Sequence, residues 1–230
     1  MRVGVGFAGR GAAVAVALAT LLGGCAGSAA DDGKGAAGAT PSDTSEAESA
    51  AVRGGSVGAA GSDCALPVRF DVAAHWKARA IDAGAEQSKA SKGSGDDPSA
   101  AVADSLLHQG PVTAACEIDA KPAGHIGFLR VWTGKAGTPG PGTVLRQFVA
   151  AEDGAGKAAY RSVRTGGGLK GVEVEYLCTS KLLGETKKET ALAVGTPDGP
   201  VVLHLGGMDT EEHEAMRPAY ELAKRTLRLG

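Results

Sequence analysis

Residues 158–205 read AAYRSVRT GGGLK GVEVEYLCT SKLLGE TKKETALAV GTPDG PVVLHL. Four short strand candidates stand here in succession: Ala158–Thr165, Gly171–Thr179, Thr186–Val194 and Pro200–Leu205. Gly166-Gly167-Gly168 and Pro197-Asp198-Gly199 supply the turn chemistry between them. Strands joined by such short turns pair antiparallel. Working upstream, Pro111–Asp119 and His125–Thr133 are two more strand candidates around a Lys121-Pro122-Ala123-Gly124 turn, with Ile126, Phe128, Arg130 and Trp132 on one face of the second. Leu66–Val72 is a further short strand leading to Trp76.

Helical spacing appears in three places. Asp97-Pro98 reads as an N-cap and first-turn proline before Val102, Leu106 and Leu107, with Gly110 as the stop. The segment before it, Glu86–Asp97, reads as a polar loop. Val144, Leu145, Phe148 and Val149 share a stripe after a Gly/Pro cluster. Asp209–Glu212 has a capping-box shape and opens a closing helix with Met216, Leu222, Ala223 and Leu227 on one face. Pro218 should kink that helix or mark its true first turn. The expectation is an α+β domain over residues 64–230, an antiparallel sheet of about six strands with helices packed on it.

The Phe70-x-x-x-x-x-Trp76 opening, the meander and the closing amphipathic helix resemble the Mog1/PsbP-like fold, in the order found in small actinobacterial lipoproteins of the LpqN type. The resemblance covers about residues 66–229. It implies docking or accessory roles and brings no catalytic residues with it.

The N-terminus has a different grammar. Arg2 and Arg10 precede an uncharged apolar run that ends in Leu22-Gly23-Gly24-Cys25. The run is too short to cross a bilayer core, which needs about 20 residues, and fits the apolar centre of a signal peptide. Leu22–Cys25 resembles a bacterial lipobox. That resemblance implies cleavage after residue 24 and acyl chains of the palmitate type on Cys25, anchoring the protein on the extracytoplasmic face of the cell membrane. Gly4-Val5-Gly6-Phe7-Ala8-Gly9 spells a dinucleotide fingerprint, but only three residues precede it where a strand is required. Residues 25–63 then form the lipid anchor and a spacer: from Ala26 on they are almost wholly Ala, Gly, Ser, Thr and acidic residues, with two Val and no aromatic side chain, a composition unable to bury enough apolar surface to order itself.

With 24 basic against 26 acidic residues, nothing directs the chain toward nucleic acid. With Cys25 acylated, three cysteines remain. A Cys64–Cys116 disulfide is the leading pairing, with Cys116–Cys178 the alternative. No C-x-x-C, H-x-x-x-H or complete phosphate-loop pattern is present, and no catalytic residue, metal ligand or cofactor is assigned. His204 is expected on the solvent face of its strand, and His213 on a solvated helix turn. Glu173 and Glu175 read as neighbours on a solvent-facing strand, and Lys181–Glu189 as a charged hairpin guarding an edge. Trp76, Phe128, Trp132 and Tyr160 could line an apolar pocket between helix and sheet. These features favour a non-enzymatic lipoprotein that binds an envelope partner, then a small-ligand or lipid carrier, then an envelope hydrolase.

Overall fold

The computed structural model describes residues 51–90, 99–137 and 139–230. The signal segment, Cys25, most of the expected spacer and the Asp97-Pro98 cap lie outside these residues. In chain order the elements are β1 (Arg53–Val57), β2 (Val68–Ala73), β3 (Lys77–Ala80), α1 (Ala83–Ala90), α2 (Ser99–Leu107), β4 (His108–Gln109), β5 (Val112–Asp119) and β6 (Gly127–Thr133). They continue with α3 (Pro141–Ala150), β7 (Ala155–Arg164), β8 (Lys170–Thr179), β9 (Thr186–Thr196), β10 (Gly199–Gly207), α4 (Thr210–Thr226) and β11 (Arg228–Leu229).

The class is α+β, as the turns and periodicities indicate, but the strands outnumber the expected six. The main sheet runs β3-β5-β6-β10-β9-β8-β7 with β4 paired to β5, and a second sheet runs β1-β2-β11. Every strand pairing is antiparallel. The central strand β10 is buried along its whole length because both faces are covered. On one face, α4 and the small sheet enclose Phe70, Ile118, Leu129, Leu203, Met216 and Tyr220. On the other, α3 lays Val144, Leu145, Phe148 and Val149 against Trp132, Val174 and Val202.

The domain begins earlier than residue 64. β1, in the expected spacer, pairs with β2, and its only deeply buried side chain is Val57. Its attachment is polar: backbone bonds, the Arg53–Asp71 ion pair at 2.8 Å, and Gly58 N–H donating to Cys64 O at 2.8 Å. A strand held by its backbone carries no hydrophobic pattern to read. The Cys64–Cys116 disulfide ties this region to β5 across 52 residues. Ala83–Ala90 forms a helix where the polar loop was expected to begin. Pro218 sits inside α4 and is not its first turn. Asp209 is the N-cap, its carboxylate accepting from Glu212 N–H at 2.8 Å.

The Gly166–Gly168 turn closes the β7–β8 hairpin as expected and also meets the end of α4. A Cβ on Gly166 would lie 1.7 Å from Arg225 O, so only glycine permits the approach. Gly167 N–H donates to Leu227 O at 3.1 Å at the chain's exit from α4.

Candidate functional site

His204 is central to the site, and it is buried rather than solvent-facing. It stands on β10 between Arg130 of β6 and Ala191 of β9, on the face covered by α3. Alternation could not place it, because a strand covered on both sides has no solvent face. Its Nε2 lies 2.9 Å from Glu189 Oε2 and 3.3 Å from Tyr176 Oη. Tyr176 O–H donates to Glu152 Oε2 at 2.5 Å. Lys187 Nζ lies 2.6 Å from Glu189 Oε1 and donates to Gly207 O at 3.0 Å.

Donor directions follow from this geometry. An ionised carboxylate only accepts, so the His204 Nε2 facing Glu189 carries a proton. Tyr176 spends its single proton on Glu152, leaving its oxygen as a second acceptor for His204. Burial alone would raise the Glu189 pKa, but the His204 hydrogen bond and the Lys187 charge outweigh it and hold the carboxyl below its usual range. Burial, then the Glu152 charge, pushes the Tyr176 phenol far up. The same two influences push the Cys178 thiol up to about 11, and its Sγ rests 3.3 Å from Asp153 O. A thiol so raised is an inert hydrophobe with a weak donor.

Aromatic rings frame the imidazole. Phe148 meets it edge-on at 5.4 Å between centroids, and Tyr176 stacks at 6.4 Å. The Arg130 guanidinium lies 4.4 Å from the Phe128 centroid and pairs with Glu117 on the neighbouring strand. Gly206 makes room for Phe128, since a Cβ there would stand 2.9 Å from the ring. A cavity of about 390 Å³ opens before this wall, with Glu189, His204 and Trp132 as floor and Gln109 and Glu152 at the mouth. A second groove of about 480 Å³ lies between the β8–β9 hairpin and the β10–α4 connection, sharing Asp153 and Lys187 with the first.

The opposite face carries a second polar set. Glu173 is fully buried, not solvent-facing, and accepts from Tyr220 Oη at 2.7 Å, Lys224 Nζ at 2.9 Å and Arg161 Nε at 2.6 Å. Glu175 binds Arg217 at 2.8 Å. His213 is likewise buried, not solvated; its Nε2 lies 2.9 Å from Thr190 Oγ1, its Nδ1 is unpartnered, and burial lowers its pKa to about 4. Lys181–Glu189 is not an edge guard, because β9 lies inside the sheet and β7 is the edge.

The four aromatics do not share one pocket. Phe128 and Trp132 line the His204 cavity. Trp76 packs on the α4 side beside Ala73 and Ala219, and Tyr160 is partly exposed on the edge strand β7. Glu152, Tyr176, Glu189 and His204 were missed as a set. For Tyr176, Glu189 and His204 the one legible signal is polar residues on strands otherwise rich in Val, Ala and Leu; Glu152, in the α3–β7 connection, has none. Among the described residues no group of three or more His, Cys, Asp and Glu side chains could hold a metal ion.

No helix among the described residues is long and apolar enough to cross a membrane. No curated protein and no solved structure matches the chain. A family model described as an uncharacterised lipoprotein matches residues 34–227, which takes in nearly the whole fold and accords with membrane attachment through lipid. The chain therefore belongs to this lipoprotein family.

Proposed function

We propose that the protein is a non-enzymatic, lipid-anchored module on the extracytoplasmic face of the cell membrane, binding an envelope partner through the His204 side of the sheet. The observation that carries this reading is the pre-organised cavity wall, whose polar groups already hold one another. Glu189 is bound by His204 and Lys187, Tyr176 by Glu152, and the Cys178 thiol stays protonated. Such a wall offers a fixed shape to a guest, which lowers the ordering cost of binding. The helices α3 and α4 on opposite faces of an antiparallel sheet support carrying the Mog1/PsbP-like resemblance as part of this reading. Acylation at Cys25 belongs to the proposal as well.

A second reading, a small-ligand carrier, draws on the cavity volume of about 390 Å³ and the two aromatics that line it. In-cell cross-linking of the lipidated protein with mass spectrometry, beside a Cys25→Ser control, tests both. A recurrent protein partner lost in the unanchored control is the expected result. A co-purifying small molecule displaced by Phe128→Ala, with no protein partner, would replace the first reading with the second.

A further inference from the structure

One end of the molecule gathers exposed apolar side chains. Leu182 and Leu183 crown the β8–β9 hairpin with 93% and 68% of their surface in solvent. Met208, also exposed, lines the same groove, and its N–H donates to the carbonyl of exposed Ile126 at 3.0 Å. Consecutive leucines this exposed at a hairpin tip bury little apolar surface against the fold, so most of it is free for an external partner.

The chain enters the domain at this same end. Ala51 N–H donates to Pro218 O, and Val52, exposed as well, shares a surface cleft with His125 and Ala215. His125 and Ala215 in turn border Asp209, the residue after Met208. Between Cys25 and Ala51 stand 25 residues, which span at most about 80–90 Å when fully extended. An anchor at Cys25 therefore keeps the point of entry within that reach of the bilayer, and the β9–β10 turn lies at the other end of β9 from the leucine tip. Charge at this end leans acidic, Lys121, Lys181 and Lys187 standing against Asp153, Glu185, Asp209, Glu211 and Glu212, so it offers no electrostatic attraction to anionic lipid.

We infer that this end is a membrane-docking surface: Leu182, Leu183 and Met208 seat in the lipid surface that carries the protein's own anchor. The inference rests on the anchored reading above. Contact is apolar, so it persists as ionic strength rises.

The test uses the full lipidated chain on phosphatidylcholine vesicles with brominated acyl chains. Leu182→Trp places a reporter at the tip and Asp198→Trp places one in the exposed β9–β10 turn, each read as emission beyond that of the parent protein. The expected result is loss of most of the added emission for Leu182→Trp, unchanged in high salt, and none for Asp198→Trp. Equal quenching at both positions, or none at Leu182→Trp, overturns the inference. So does a blue shift without quenching, which marks contact with a second copy. If the unmodified chain does not float with vesicles, the anchored reading fails and the docking falls with it; flotation without quenching removes the docking alone. Hydrogen exchange on the unmodified protein supplies a measurement free of substitution. Amides at 180–184 and 207–209 should slow on vesicles relative to Cys25→Ser protein in solution, and equal rates overturn the inference.

Discussion

The two faces of the main sheet each bury a glutamate, and the two are used differently. On the α4 face Glu173 is surrounded by Tyr220, Lys224 and Arg161, and the helix closes over it. On the α3 face Glu189 is held by His204 and Lys187, and the same group forms the floor of an open cavity. Both pairings offset the desolvation of a carboxylate. The first is a clamp between helix and sheet. The second exposes a polar surface whose geometry is already set, which is what a binding site requires.

That contrast can be broken by substitution, beginning with the clamp. Glu173→Ala leaves the fully buried Tyr220 hydroxyl without its acceptor and Lys224 with one fewer counter-charge. It should lower the free energy of unfolding by about 3–5 kcal/mol in urea titration. A value under 1 kcal/mol would mean the network is dispensable. The disulfide belongs to the same face, and the double replacement Cys64→Ala with Cys116→Ala should cost about 4 kcal/mol for a loop of 52 residues. Equal midpoints with and without reductant would contradict it.

His213 distinguishes the faces by pH. Burial keeps it neutral, with a pKa of about 4 against an ordinary 6.5. Below pH 6.5 the unfolded chain takes up a proton that the folded chain refuses, so stability falls as pH drops from 6.5 to about 4. The loss is on the order of 3 kcal/mol. His213→Gln should flatten that window in denaturation curves taken at successive pH values. Glu173 and Glu189 act in a separate, lower one. Their folded pKa values lie below the ordinary 4.5, so their contribution is present above it and is lost as pH falls beneath it.

The smallest expected effect falls on the open face. Glu189→Gln leaves Lys187 with 35% of its side chain in solvent, able to turn outward, so the cost should be about 1–3 kcal/mol. Binding of the envelope partner or ligand should suffer more than folding does. If Glu189→Gln destabilises as much as Glu173→Ala, the two faces are equivalent and the cavity floor is a second clamp.

Much of the fold was legible along the chain. The Gly166–Gly168 and Pro197–Gly199 turns, the Val144–Val149 stripe and the Asp209 cap all lie where local chemistry puts them. Local signals failed where the partner was remote. β1 is held by backbone bonds to β2 and by an ion pair, neither of which leaves a periodic trace. His204, Glu173 and His213 were each placed in solvent because polar residues usually lie there, and each proved buried with a hydrogen-bond partner. The aromatic set divided for a related reason: period two assigns residues to a face, but Trp76 stands in the β2–β3 connection and Tyr160 on the edge strand β7, whose places in the fold no local signal gives.

By itself, the sequence determined the α+β class, the antiparallel pairing and, with the family match, a lipoprotein. These follow from contacts between residues near in sequence, from turn geometry or from a contiguous motif. Only the tertiary structure decided that β10 is covered on both faces, that His204 meets Glu189 and Tyr176, and that the leucine tip shares an end with the chain's entry. Strand order and layer stacking bring those groups together, and no local periodicity encodes which strand will be central.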